Sequence, residues 1–100
     1  MKTKFVQVLF DIFIDFDLEQ DREHPRYRVF VADELFTERT YTWTEDYLEE
    51  MLQIEAPPGQ YPIRVELVQP TTARLKVRNE RIKLGPASIR KSLLEIRNED

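Results

Sequence analysis

The feature that most constrains the fold is a long alternation of apolar and polar residues near the N-terminus. Every even position from 6 to 18 is apolar, whereas the odd positions mix apolar residues with carboxylates. Side chains of a β-strand point alternately to the two faces of its sheet, so residues 4–18 predict one long strand with a fully apolar face and a half-apolar face. Phe5, Leu9 and Phe13 also have the spacing of a helix face, but the richness in Phe, Val and Ile favours the strand.

A turn signal lies near the middle of the chain, in residues 56–61 (APPGQY). Proline presets φ for the second position of a reverse turn, and glycine takes the positive φ that a type II turn requires. Residues 48–55 before the turn and the alternating residues 63–68 after it are therefore predicted to form a hairpin within one antiparallel sheet. We expect the Tyr61 hydroxyl to bond the backbone at this corner.

Shorter alternating runs complete the pattern. They predict strands over residues 27–32, 35–43, 51–56, 63–68, 73–84 and 93–97. In the 35–43 run the odd positions are expected to share one side of the sheet. In the 73–84 run the buried phase changes from odd to even positions near Asn79 and Glu80, which predicts a β-bulge.

Two segments are less regular. A short helical turn is predicted within residues 44–50, where acidic residues follow a threonine that can cap it. In residues 87–100, Ile89, Leu93 and Ile96 have helical spacing, so a helix is an alternative there. Basic residues at its start and acidic residues at its end would oppose the helix dipole, which favours the strand.

The composition bounds the class of protein. One hundred residues, 41% of them hydrophobic, suffice for one folded domain over residues 1–100. The lack of cysteine excludes disulfides, zinc–thiolate sites and thiol nucleophiles. About seven short strands joined by turn signals then predict an all-β, two-sheet antiparallel β-sandwich, jelly-roll or immunoglobulin-like, with at most one short helical turn.

No targeting or membrane segment is expected. Asp11, Asp15 and Asp17 interrupt the first apolar run, whereas a signal peptide stays apolar up to its cleavage site. No run approaches the about 20 apolar residues that span a bilayer. The sequence therefore predicts a soluble protein without a signal peptide, located in a virion or in a host cytoplasm, and no membrane partner.

Charge is distributed unevenly along the chain. The net charge of −4 divides into −8 for residues 1–55 and +4 for residues 56–100. One interpretation is that acidic and basic strands lie side by side in a sheet and neutralise each other. The other is a dipolar molecule with complementary faces, suited to ordered self-association. The overall acidity argues against a nucleic-acid partner.

The residues that carry most enzyme chemistry are scarce. Ser88 and Ser92 have no histidine near them in the sequence, and two glycines cannot form a phosphate-binding loop. The single histidine, His24, precedes Pro25 in a polar segment and is expected to face solvent. We therefore predict no catalytic residues, no cofactor and no enzyme activity.

The half-apolar face of the first strand indicates a contact surface, covered by the domain's own tail or by another subunit. Its carboxylates could offer oxygen ligands to calcium, but residues along a strand seldom converge on one ion, so no metal site is predicted. A basic row in the 73–84 strand is a partner for these carboxylates. The candidate interface residues are Phe5, Leu9, Phe13, Asp11, Asp15, Asp17, Arg74, Lys76 and Arg78.

Three aromatic residues form a second candidate surface. Tyr41, Trp43 and Tyr47 lie close in the sequence, and aromatic rings can stack on the apolar face of a sugar. The alternative is that they belong to the core or its rim, where large aromatic side chains are common.

Residues 43–84 combine an aromatic residue before a strand, a Pro-Gly-x-Tyr turn at residues 58–61, a strand at residues 63–67, and Arg78–Asn79 leading into Ile82. This combination resembles the second half of jelly-roll carbohydrate-binding modules, in particular the small xylan-binding kind. The resemblance implies sugar binding, with calcium held by acidic residues. In size and composition the chain is also similar to the small cysteine-free sandwich proteins that decorate or cement phage particles.

The leading hypothesis is a non-enzymatic structural module that acts through protein–protein contacts. It would self-associate as a subunit of a phage virion, either a capsid decoration or a tail accessory protein. The alternative is a carbohydrate-binding module that uses Tyr41, Trp43 and Tyr47, with or without calcium.

Overall fold

The computed structural model describes residues 2–42 and 47–98, and these form an almost entirely β structure. Its elements are the strands β1 (Lys4–Asp15), β2 (Arg26–Val31), β3 (Glu34–Thr40), β4 (Leu48–Ala56), β5 (Gly59–Leu67), β6 (Arg74–Leu84), β7 (Ala87–Arg90) and β8 (Leu93–Ile96), and the one-turn helix α1 (Leu18–Asp21). Within these described ranges, no helix is long and apolar enough to cross a membrane.

The strands form two antiparallel sheets that pack against each other. One sheet has three strands in the order β4-β1-β6, and the other has five in the order β3-β2-β5-β8-β7. Their inner faces share one apolar cluster, to which both sheets contribute. The predicted all-β, two-sheet antiparallel sandwich is confirmed.

β1 is the central strand of the three-stranded sheet, and its even positions form the middle of the core. Val6, Val8, Phe10, Ile12 and Ile14 are at most 2% exposed. The predicted apolar face is therefore correct, because alternation directs every second side chain toward the other sheet.

The first strand is shorter than the predicted residues 4–18. It ends at Asp15, and Leu18, which is 42% exposed, begins α1. The carboxylate of Asp17 accepts the backbone N–H of Glu19 at 2.9 Å and caps this helical turn. Such a local bond from an aspartate competes with extended backbone even where the alternating pattern continues.

The predicted hairpin around residues 56–61 is wrong. β4 pairs with β1, whereas β5 pairs with β2 and β8 in the other sheet. The segment between β4 and β5 therefore carries the chain from one sheet to the other. Gly59 has a φ of 157°, far from the about +80° of a type II turn. The predicted backbone bond is confirmed, since the Tyr61 hydroxyl donates to the carbonyl of Pro57 at 2.5 Å.

The strand predicted over residues 35–43 ends at Thr40. A bulge beside Val29 and Phe30 places Leu35 opposite Phe30, on the outer side, so the odd positions do not all share one side.

The helical turn predicted within residues 44–50 is wrong where it can be compared, because β4 already begins at Leu48. Residues 43–46 lie outside the described part of the chain.

The predicted bulge near Asn79 and the predicted final strand are confirmed. The pairing of β6 with β1 shifts by one residue there, and Asn79 has a φ of 62°. β8 pairs with β7, a strand that the sequence pattern did not predict. The turn between them has positive φ at Lys91 and Ser92, as in a two-residue hairpin. The Ser92 hydroxyl donates to Glu80 at 2.8 Å and holds this turn against β6.

The carboxylate of Glu50 is buried between the two sheets. Glu50 on β4 is 3% exposed, and its Oε1 accepts Nε of Arg39 at 2.9 Å and the hydroxyl of Tyr27 at 3.5 Å. Burial raises the pKa of Tyr27 well above its ordinary value of 10.0, so the hydroxyl keeps the proton that it donates. The contact ties β4 to β2 and β3 of the other sheet.

Candidate interface on the three-stranded sheet

The outward side chains of the three-stranded sheet form a surface that we name the polarised face. Its residues are Phe5, Gln7, Leu9, Asp11, Phe13 and Asp15 of β1, Glu49, Met51, Gln53 and Glu55 of β4, and Arg74, Lys76, Arg78, Arg81 and Leu84 of β6. β4 thus provides an acidic edge, β6 a basic edge, and β1 a mixed centre.

Eight of the nine predicted interface residues lie on the polarised face. The register of β1 and β6 creates the directly opposite pairs Asp15–Arg74, Phe13–Lys76 and Asp11–Arg78. Asp17 is the exception, because it caps α1 beyond the end of the strand. The structure therefore brings together the apolar, acidic and basic residues that the sequence pattern separated.

The centre of the polarised face is partly neutralised. Arg81 contacts Asp11 at 3.5 Å and Glu49 at 2.5 Å, and the amide of Asn79 donates to Asp11 at 3.1 Å. These bonds agree with the interpretation that acidic and basic strands lie side by side. Arg81 was not predicted because it follows the bulge, and the phase change near Asn79 was the signal that could have placed it.

Two large apolar side chains are exposed at one end of the polarised face. Phe5 is 42% exposed and Leu84 is 51% exposed. Leu84 lies opposite Gln7, two positions along β1 from Phe5. Farther along the face, Leu9 and Phe13 are half-buried by their neighbours. The apolar surface is thus concentrated at the end where β1 begins and β6 ends.

The aromatic residues proposed for sugar binding do not form a platform in the described chain. Tyr41 is fully buried, and the edge of its ring meets Phe16 with 6.0 Å between centroids. Tyr47 lies beside Phe13 at 5.4 Å, and the guanidinium of Arg78 covers its ring at 3.7 Å. The inclusion of Tyr41 is therefore wrong, since a buried ring offers no face to a sugar. Trp43 lies outside the described residues.

The three carboxylates predicted along the first strand have different surroundings. Asp11 binds Arg81, Asp17 caps α1, and Asp15 is exposed on the polarised face. Across residues 2–42 and 47–98, no group of three or more histidine, aspartate and glutamate side chains could hold a metal ion.

The prediction that His24 faces solvent is wrong. Its side chain is half-buried, and the ring lies edge-on to Phe16 at 5.4 Å. Its Nδ1 is buried without a hydrogen-bond partner among the described residues. The neighbouring aromatic ring, which the sequence could not place, accounts for the difference.

A cleft of about 670 Å³ lies at the other end of the polarised face, between β1, α1 and the start of β6. Its lining includes Phe13, Asp15, Leu18, Thr72 and Arg74. Behind it, the carboxylate of Asp21 accepts the hydroxyl of Thr71 at 3.0 Å, and the N–H and hydroxyl of Thr72 at 3.1 and 3.0 Å. This contact ties α1 to the segment before β6.

We expect Asp21→Asn to reduce the dependence of stability on pH. The hydrogen bond from the Thr72 backbone N–H, with those from the threonine hydroxyls, holds the pKa of Asp21 below its ordinary value of 3.8. A lowered pKa in the folded state stabilises the fold above pH 3.8, and this contribution is lost as pH falls through the folded value. Urea unfolding at about pH 6 and about pH 2.5 measures it.

The control for this experiment is Glu19→Gln, which removes the same charge from the same helical turn. The wild-type protein should exceed Asp21→Asn in stability by more at the higher pH than at the lower pH. An equal difference at both values would contradict the role of Asp21, as would the same pH response in the control.

The fold and this surface define a small antiparallel β-sandwich protein with a polarised outer face. Comparison with family models, with curated proteins and with solved structures found no match.

Proposed function

We propose that this protein is a non-enzymatic interaction module that binds protein through the polarised face, as a repeated subunit of a larger assembly. The observation that carries the proposal is the exposure of Phe5 on the central strand and of Leu84 at the end of the basic edge strand, in a sheet whose other edge is acidic. Exposed apolar side chains surrounded by charged residues are typical of protein contact sites. Binding would remove these side chains from water, and the charges would orient the partner.

The charges favour a second copy of the chain as the partner. Asp11 lies opposite both Glu49 and Arg78, so these two residues are at the same level on the two edges. A two-fold axis along β1 brings Glu49 of one copy above Arg78 of the partner subunit. It also brings each outward β1 residue above its own copy, which joins the two Phe5 side chains and also stacks the two Asp11 carboxylates, each of which is bound by Arg81. A two-fold axis across the strands places the acidic edges above each other, which like-charge repulsion disfavours.

The finer part of the proposal is that the assembly is a phage virion, with this chain as a capsid decoration or tail accessory subunit. Its support is the similarity in size and composition to such proteins and the cysteine-free sandwich.

Light scattering over a range of concentrations tests the contact. We expect the wild-type mass to rise above that of the monomer with concentration, and Phe5→Glu to weaken this association by at least about tenfold. Leu18→Glu is the matched control, because Leu18 has the same 42% exposure but lies on α1. A strictly monomeric wild type at low and high salt, even near millimolar concentration, would contradict self-association.

The same measurement tests the orientation of the two copies. In the two-fold arrangement along β1, Glu49→Arg or Arg78→Glu alone places like charges across the contact, and each should weaken it at low salt. The double variant restores opposite charges and should recover the association. Failure of the double variant to recover it would contradict this axis while leaving the role of Phe5 standing.

A further inference from the structure

β3 is the least covered strand of the five-stranded sheet. Six of its seven residues are exposed, and Thr37 is half-buried. Leu35 and Phe36 are 56% and 43% exposed. Among the strands that the structure describes, β3 pairs only with β2, so its other edge presents backbone N–H and C=O groups. We propose that two copies of the chain pair along this edge, antiparallel, and join their five-stranded sheets into one.

The other described edge strands are less suited to pairing with themselves. Outward residues of β4 include Glu49 and Glu55, and those of β6 include Arg74 and Lys76, so either strand beside its own copy places like charges together. β7 has four residues, and Ala87 at its start is buried. β3 carries charges of both signs and, with seven residues, is longer than β7, so it is the edge at which self-pairing meets least opposition.

The bulge in β3 determines which register is compatible with pairing. Glu34 and Arg39 lie opposite buried residues of β2 and face the core side, whereas Leu35, Glu38 and Thr40 face the outer side. Directly opposite residues of an antiparallel pair face the same side. A two-fold register with Glu34 opposite Arg39 and Leu35 opposite Glu38 meets this condition. A shift by one residue does not, because it places Glu34 opposite Glu38 or Thr40.

The compatible register is also the one in which the charges are complementary. Glu34 of each copy lies beside Arg39 of the partner subunit, once at each end of the paired segment. Glu38 is already bound by Arg26 and by Nε of Arg28, the latter at 2.6 Å, so Leu35 meets a carboxylate whose charge is balanced. The phase of the bulge and the order of the charges thus indicate the same partner, a second copy of this chain.

This contact uses residues different from those of the polarised face, and it goes beyond the proposed function. One two-fold contact closes a dimer, whereas two independent contacts on each subunit allow a larger assembly. The edge contact would extend the five-stranded sheets, and the polarised face would stack the three-stranded sheets.

Cysteine cross-linking of the full chain tests the register directly, because the sequence has no cysteine. Leu35→Cys and Glu38→Cys are prepared as single variants, mixed, and oxidised mildly. Opposite residues are close enough for a disulfide, whereas either position lies about 10 Å from its own copy. We expect a disulfide between the two variants in the mixture. Glu38→Cys mixed with Leu93→Cys is the control, because Leu93 is exposed on β8 of the same sheet.

A second measurement separates this contact from the polarised face. In the Phe5→Glu background, Leu35→Glu should weaken the remaining association by at least about tenfold, and Leu93→Glu should leave it unchanged. Circular dichroism confirms that each variant is folded. Cross-linking no greater than in the control mixture would overturn the inference, and so would equal effects of Leu35→Glu and Leu93→Glu. Neither outcome depends on whether Phe5 forms a contact.

Discussion

Replacing Gly85 by alanine is expected to lower the free energy of unfolding by about 3 kcal/mol. Gly85 follows β6 and has a φ of 105°, which residues with a side chain rarely adopt. A Cβ there would lie 2.5 Å from the carbonyl oxygen of Phe5 and 3.0 Å from Cα of Val6. Both are backbone atoms, so no side-chain rotation relieves the overlap, and β1 or the turn must shift. Urea unfolding followed by circular dichroism measures the change.

Gly59→Ala is the control for this prediction. A Cβ at Gly59 would meet the hydroxyl oxygen of Tyr61 at 3.7 Å and two of its ring carbons at 3.8 and 3.9 Å, which is ordinary contact. Its expected cost is about 1 kcal/mol, from backbone conformation alone. If both alanine variants lost the same stability, the close approach of Gly85 to β1 would not be the cause.

The sequence predicted which side chains are buried better than it predicted which strands pair. In β1, alternation identified the core side chains Val6 to Ile14 because period two has one physical cause, the pleat of the strand. In β5, Ile63 is buried and Arg64 is exposed, as the pattern indicated. Burial depends on the sequence of one segment, so it can be inferred from that segment.

Strand pairing depends on contacts between segments, and here the prediction failed. The turn residues around Pro58 and Gly59 are compatible with a hairpin, and also with a crossing between sheets. The choice between them is made by β2 and β8, which pair with the two edges of β5 and leave neither edge for β4. Residues 56–61 do not include the strands that compete for β5, so local turn chemistry could not predict which strands pair.

The polarised face, like the fold, was predictable where the strands are regular and not where they are interrupted by bulges. Residues of β1 and the first half of β6 keep a regular phase, and their placement on one face was inferred correctly. Arg81 and Leu84 follow bulges in β6, where each extra residue reverses the side to which the following residues point. The expectation that Leu84 is buried in phase with Ile82 is wrong, because the second bulge turns Leu84 outward, where it is 51% exposed.

Arg39→Met is expected to lower the free energy of unfolding by about 3 kcal/mol. The substitution keeps an unbranched side chain but removes the guanidinium that binds Glu50 at 2.9 Å. Glu50 is 3% exposed, so its carboxylate would remain buried with the hydroxyl of Tyr27, at 3.5 Å, as a weak partner. The cost arises from an unpaired buried charge more than from the lost ion pair itself. Urea unfolding at a concentration where the chain is monomeric measures it.

The double variant Arg39→Met/Glu50→Met separates these two contributions. With both charges absent, no buried carboxylate remains, and most of the lost stability should return, leaving about 1 kcal/mol for the hydroxyl of Tyr27. Arg28→Met is the matched control, since the Arg28–Glu38 pair lies on the outer surface and its loss should cost less than about 1 kcal/mol. A double variant that loses as much stability as the two single variants together would show no energetic coupling between Arg39 and Glu50, and would contradict this account. Recovery would mean that Arg39 mainly compensates for the burial of Glu50 between the two sheets.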